Sequence, residues 1–394
     1  MKTYVMIAVL LAATPARAAF RVPGYELVYS YPVETTLNEP DLRLAQDVWP
    51  EMFDAAKTEI DLEEFYVTPS TGEPLEASLQ ALERAAKRGV KIRVLLEEKF
   101  EKQSADGIAR LRTIPGLELR LLEWSKVQGA GIIHAKFFVV DSTRAYVGSQ
   151  NFDWRSLKHI HEMGLAIDDA SAVAGAAAIF AHDWALADSS QAPTPDNFDP
   201  PLFDRGARSY LVASPWRFNP SGVGDSQSEL VQLIGEAHTE LLIQNMEYAP
   251  LSFGEPKRYY AVIDNALRDA AVRGVKVKLL VADWAMRGAA IPFIQSLALI
   301  PGIEIRVITI PPASTGPIAY ARVCHSKYMV VDGKKLWLGT SNWTGGYLDD
   351  SRNLELVVKD EALAARAAAV QKHLWDSAYS APLPAPKAYS QPAR

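Results

Sequence analysis

The stretch His134-Ala135-Lys136-Phe137-Phe138-Val139-Val140-Asp141 decides the reading of this chain, because it returns as His325-Ser326-Lys327-Tyr328-Met329-Val330-Val331-Asp332 with the same internal spacing. In each copy the apolar run between lysine and aspartate is strand-like. Residues two apart on a strand share a face, so imidazole and ammonium point the same way. Each copy continues into a hairpin: Phe137 to Val140, a turn, Ala145 to Gly148; and Tyr328 to Val331, Asp332-Gly333, Leu336 to Leu338. Asp-Gly between alternating apolar residues is a strong hairpin signal. Beyond the hairpins the copies stay in step, through Gly148-Ser149 to Asn151 and through Gly339-Thr340 to Asn342.

Upstream of both copies the repetition continues. Ala85-Ala86-Lys87-Arg88-Gly89-Val90-Lys91 is echoed by Ala270-Ala271-Val272-Arg273-Gly274-Val275-Lys276, and Ile114-Pro115-Gly116-Leu117-Glu118 by Ile300-Pro301-Gly302-Ile303-Glu304. Within each half the apolar period switches between 2 and 3.6. A strand at Ile60 to Val67 precedes a helical face of Leu75, Leu79, Leu82 and Ala86, a capping Gly89 and a strand at Val90 to Leu96. Leu241 to Tyr248, Val262 to Arg273 with Gly274, and Val275 to Val281 repeat that order. Strand, helix, strand with short joins predicts parallel pairing with helices packed on a sheet, hence an α/β fold in two tandem halves. The halves are expected at residues 20–196 and 197–380, joined through the proline-rich Ala192 to Pro201, with a disordered tail at 381–394. Ser214 to Ser228, Pro250 to Pro256 and Pro311 to Pro317 read as loops, the last leading into the second histidine and expected to wall a site.

The 394 residues are 48% apolar and 22% charged, a balance that excludes disordered and fibrous classes. Residues 1–19 read as a signal peptide: Lys2, an apolar run from Tyr4 to Ala13 too short to span a bilayer, then Pro15-Ala16-Arg17-Ala18. The mature protein is therefore expected in the periplasm or secreted. Losing Lys2 and Arg17 takes the formal charge from −6 to −8, with 39 basic residues left against 47 acidic. That sign argues against a protein that tracks along duplex DNA by neutralising phosphates. Cys324 is the single cysteine, so no intrachain disulfide forms, and no second feature of a thiol enzyme accompanies it.

One histidine on a strand is usually a packed structural residue; two, each with a lysine at the same spacing, are a site. A metal site is disfavoured because each lysine repels a cation and neither half supplies a carboxylate or thiolate cluster. No cofactor or metal is expected. Asp141 and Asp332 fall at turns, where aspartate is favoured for backbone reasons, and are read as structural. A phosphodiester anion needs positive charge, a nucleophile and a proton for its leaving alkoxide. Lys136 and Lys327 supply the charge, and Asn151 and Asn342 neutral donors.

The two copies resemble the His-x-Lys-x4-Asp signature of the phospholipase D superfamily. Asn151 to Leu157, Gly339 to Gly345 and Ser214-Pro215 through Phe218 to Gly222 are similar to the branch of animal lysosomal 5' exonucleases and poxvirus envelope proteins. The resemblance implies two α-β-α sandwich halves with mixed sheets, related by a pseudo-twofold axis and sharing one active site. It implies that His134 attacks phosphorus to form a phosphohistidine while His325 acts as acid and then base. It also implies a glutamate orienting each histidine, for which Glu162 and Glu355 stand at nearly equivalent places, with Ser149 and Thr340 as added hydroxyls. The expected partner is a phosphodiester, foremost single-stranded DNA or RNA, with Phe65, Tyr66, Trp154, Trp216, Phe218, Tyr248 and Trp343 near enough to the site strands to serve as platforms for bases. A phospholipid head group is the second reading and a non-catalytic surface protein the third; a homodimer is compatible with the pattern.

Overall fold

The computed structural model describes residues 19–188, 203–252 and 256–383. The signal-peptide reading, apart from residue 19, and the junction between the halves thus lie outside the described residues, as do residues 384–394 of the tail. Among the described residues no helix is long and apolar enough to cross a membrane.

Each half is built on a mixed nine-stranded sheet. In the first, Glu59–Glu64, Lys91–Glu97 and Leu117–Leu122 pair in parallel, in the βαβ order the period switch predicts. On the other side of Glu59–Glu64 the sheet turns antiparallel through Phe137–Val140, Arg144–Gly148, Glu162–Ile167 and Tyr25–Ser30. The second sheet repeats this with Glu240–Asn245, Lys276–Ala282 and Ile303–Ile308 in parallel, followed across by Tyr328–Val331, Lys335–Gly339, Asn353–Val358 and Ser209–Ser214. Hairpins can run antiparallel through tight turns whereas parallel neighbours need a crossover helix, so the duplicated order of signals yields two copies of one mixed sheet.

Four boundaries differ from the sequence reading. The strand expected through Val67 ends at Glu64, and Val67–Thr68 pairs instead with Phe152–Asp153; likewise Leu241 to Tyr248 ends at Asn245, and Tyr248–Ala249 pairs with Trp343–Thr344. Both breaks let the chain leave the sheet and lie against the segment carrying the asparagine of the motif. The Ser214 to Ser228 loop contains a short 3-10 helix, Trp216–Phe218, and its end opens the helix Ser226–Gly235. Ala381 and Pro382, expected in the disordered tail, pair with Arg306 and Val307 at a sheet edge.

One apolar core runs between the two inner sheet faces. It joins Phe137, Val147 and Leu165 of the first half to Leu211, Val330 and Leu356 of the second, around the helices Ala170–Leu186 and Glu361–Asp376. Separate cores fill the outer faces under Leu75–Lys87 and Ala261–Val272. The shared core fixes the halves face to face, and the two histidine segments meet across it: Ile133 bridges Arg352, and His161 bridges Cys324.

Candidate active site

His134 and His325 each stand just before the first residue of a hairpin strand, Phe137–Val140 and Tyr328–Val331. Both open into one cavity of about 480 Å³, together with Asn151 and Asn342. Two imidazoles on chain segments almost two hundred residues apart therefore face one volume, as the duplicated motif predicts.

Lys136 and Lys327 lie beneath, each almost wholly buried and each donating from Nζ to the backbone carbonyl of its own histidine. Burial, then the charge of Lys327, pulls the Lys136 ammonium well below its ordinary range; burial brings Lys327 down to about 7. Burial followed by the two ammonium groups also holds both imidazoles well below their usual value. Both lysines lie among the carboxylates Glu64, Glu162 and Glu247, whose attraction opposes the downward shift, so burial is what lowers the two ammonium groups.

The histidines are held from behind by the opposite half. His325 Nδ1 stands 2.8 and 2.9 Å from the two carboxylate oxygens of Glu162. Ser149 Oγ donates to that carboxylate at 2.6 Å, and Ser156 Oγ lies 3.3 Å from it. Burial pushes Glu162 up to about 8. The carboxylate and imidazole accordingly keep one titratable proton between them through neutral pH, available at Nε2.

His134 is held differently. Its Nδ1 lies 2.9 Å from Asn353 Oδ1, and the expected partner Glu355 is absent from its side. Glu355 is buried against the hydroxyls of Ser226 and Ser341. Strand register explains the correction: Gly148 pairs with Gly164 while Gly339 pairs with Glu355, so Glu355 is the counterpart of Gly164 and Asn353 the counterpart of Glu162. Glu162 and Asn353 each follow a histidine by 28 positions, a signal the sequence contained and the search for a carboxylate passed over. Thr340 takes part through Asn353, donating from Oγ1 to Oδ1 at 2.9 Å.

Asp141 and Asp332 are turn residues, as expected. Asp141 accepts from the backbone N–H of Lys57, Thr58 and Glu59. Asp332 accepts from those of His238, Thr239 and Glu240. They anchor the far end of each hairpin strand, seven residues and roughly 20 Å from the histidine.

Of the expected aromatic platforms Phe65 and Tyr66 line the cavity, whereas Trp154 and Trp343 lie outside its lining. Tyr248 is buried in the outer core, its hydroxyl on Asp264; Phe218 is packed on Trp124; Trp216 lies outside the cavity lining. Phe100 and Tyr347 join Phe65 near His134, with Phe65 at 5.3 Å and Tyr347 at 4.7 Å between ring centroids. Trp284 and Tyr320 complete the lining with Met246, Ile160 and Val323. The loop Pro311 to Pro317 does not line the cavity; the segment after it does, through Tyr320 and Val323. Phe100 and Trp284 sit more than thirty residues from the histidines in sequence, so no local pattern marks them; Tyr320 is five residues before His325 but outside the repeated motif. Cys324 is buried, and burial pushes its thiol up, away from a nucleophilic thiolate.

The family described as cardiolipin synthase, PLD-like domain, matches residues 50–184 and again residues 230–375. The chain belongs to the phospholipase D superfamily. This is a family of phosphodiesterases, and each match falls within one of the two halves and covers the strands that carry its histidine motif. The chain is 32% identical over 372 residues to the protein named 5'-3' exonuclease PLD3 of Xenopus tropicalis, covering 84% of this chain and 75% of that one. It is 30% identical over 368 residues to probable phospholipase D F09G2.8 of Caenorhabditis elegans, covering 85% of this chain and 66%, just under two thirds, of the relative. Among solved structures, phosphatidylserine synthase of Haemophilus influenzae superposes with a TM-score of 0.61 at 12% identity, over 86% of this chain and 85% of the other. At that identity the likeness is one of fold.

Proposed function

We propose that this superfamily member hydrolyses the phosphodiester bonds of single-stranded nucleic acid, with no metal, through a phosphohistidine on His134. One observation carries the reading: His134 and His325, contributed by opposite halves, open into a single cavity with each Nδ1 occupied from behind. Nε2 of His134 attacks phosphorus and the P–O bond to the leaving alkoxide breaks, the alkoxide taking a proton from Nε2 of His325. Water then gives a proton to His325 and attacks phosphorus; the P–N bond breaks and His134 is freed. Lys136 and Lys327 stabilise the charge on the non-bridging oxygens, aided by the amides of Asn151 and Asn342. Lys136 and Lys327, buried behind the two histidines, repel a cation at this site, which supports hydrolysis without a metal.

The choice of nucleic acid rests on the walls. Phe65, Tyr66 and Phe100 form one aromatic cluster, with Phe65 and Phe100 at 4.2 Å, and Trp284 and Tyr320 share the lining, all surfaces on which bases stack. The acidic balance of the chain and the small cavity suit one strand end rather than a duplex. The exonuclease name carried by a relative at 32% identity points the same way.

The test sets a 5'-phosphorylated oligonucleotide beside phosphatidylcholine vesicles, both with chelator and across a salt series. Cleavage of the oligonucleotide at an undiminished rate with chelator is expected. Activity on vesicles alone would transfer the substrate to phospholipid, and activity on neither would refute a catalytic role.

A further inference from the structure

The two halves are copies, yet they hold their histidines with chemically different groups. Glu162 behind His325 is a carboxylate; Asn353 behind His134 is a neutral amide. Two identical imidazoles divide the work of nucleophile and acid only if something outside the rings distinguishes them.

We propose that Asn353 is a positioning residue that locks His134 in the Nδ1–H tautomer and denies it a counter-ion, so that the pairing of Asn353 against Glu162 decides which histidine attacks phosphorus.

The orientation of the amide follows from its neighbours. Asn353 Nδ2 donates to the carbonyls of Tyr347 at 2.7 Å and Ser351 at 3.3 Å, which only an amide nitrogen can do. Oδ1 is therefore the atom turned toward His134. It also receives the Thr340 hydroxyl, whose oxygen in turn accepts the backbone N–H of Leu354 at 3.1 Å. An acceptor at 2.9 Å requires that Nδ1 of His134 carry a hydrogen, and the lone pair then resides on Nε2, the nitrogen needed for attack.

The backbone beneath this contact is braced across the two halves. His134 N–H donates to the Arg352 carbonyl at 2.8 Å, and Arg352 N–H donates to the Ile132 carbonyl at 2.9 Å. The wholly buried guanidinium of Arg352 is held by Asp183 at 2.5 and 2.7 Å and by Asn219 at 2.9 Å. Asn353, one residue on, can neither slide nor swing away from the imidazole. Around the ring of His134 stand Lys136, Lys327 and His325, with Phe65 and Tyr347 against it. None of these is a carboxylate, and the two cations oppose protonation.

Attack by His134 rests on the phosphohistidine reading; the tautomer does not, and the two are separable. In full-length protein labelled with ¹⁵N-histidine, side-chain NMR should show His134 as the neutral Nδ1–H tautomer across the pH range of folding, with the resonance assigned by its loss in His134→Asn. Asn353→Asp, nearly isosteric, should raise the titration of His134 by about one to three pH units and carry the acid limb of kcat/KM upward with it. Asn353→Ala should mix the tautomers and lower kcat/KM on the order of 10- to 100-fold. Wild-type His134 protonated at Nε2, or Asn353→Asp folded with His134 titrating as before, overturns the proposal. A trapped phosphoryl adduct on His325 alone would also overturn it, even with the tautomer as expected, whereas a wild type that turns over no phosphodiester removes only the underlying functional reading.

Discussion

Replacing Glu162 by Gln removes the counter-charge of His325 while keeping the size of the side chain. Both carboxylate oxygens lie within 2.9 Å of Nδ1. With charge centres about 4 Å apart and an effective dielectric of about 20, the attraction is about 4 kcal/mol. At about 1.4 kcal/mol per pH unit that is about three units of proton affinity. Ser149 and Ser156 still hydrogen-bond the amide, so a drop of about two units is the expected net effect. The sign follows from what the pair must do. The wild-type pair retains its proton up to the Glu162 value of about 8 and delivers it below that pH. With Gln the proton is lost about two units lower, so the basic limb of kcat/KM moves down and the rate at pH 8 falls about 50-fold. The assay is the pH profile on a dinucleotide beside a p-nitrophenyl nucleotide ester, whose phenolate departs without a proton. On the activated ester the variant should release a burst of one phenolate per enzyme and then turn over slowly, because formation of the adduct no longer needs the acid but its hydrolysis still needs the base. An unmoved basic limb, or equal losses on both esters with no burst, would refute the assignment of His325 and Glu162 as the proton-carrying pair.

Glu355→Gln should leave the pH profile intact, since Glu355 meets Ser226 and Ser341 rather than His134; a displaced acid limb measured in the same assay would contradict that separation. Arg352→Met strands the Asp183 carboxylate in a core that already holds Glu63, and urea unfolding should show a loss of about 3–5 kcal/mol, most of it recovered in the double variant Arg352→Met/Asp183→Leu. Asp332→Asn tests the turn reading: backbone N–H donors and the Thr239 hydroxyl outweigh burial and hold this carboxylate down at about 2, so its contribution is complete above about pH 4 and is lost as the pH falls toward 2. At this solvent-screened turn about 1 kcal/mol is the expected loss at pH 7, with wild type and variant converging in acid urea titrations.

The duplicated motif made much of the site legible. His134, Lys136, His325, Lys327, Asn151 and Asn342 come together because a repeat with fixed spacing places its members at the same depth in two copies of one sheet. Glu162 was legible for the same reason. Its counterpart was misread because a residue type was sought where register rules: strand pairing puts Asn353, not Glu355, behind the opposite imidazole. The aromatic walls were legible only in Phe65 and Tyr66, which follow a site strand directly. Tyr248 also follows one, yet it turns into the outer core, where its hydroxyl finds Asp264. Adjacency to a strand end does not fix which way the next side chain turns.

The sequence by itself determined the two-fold architecture, the pair of histidines that shares one cavity and the two buried lysines behind them, because these depend on local periodicity and on a repeat that any copy of the fold must respect. Tertiary structure alone decided what distinguishes one histidine from the other. Each ring is held by a residue from the opposite half, and that contact depends on how the shared core docks two sheets whose strands carry no mark of their partner across the interface.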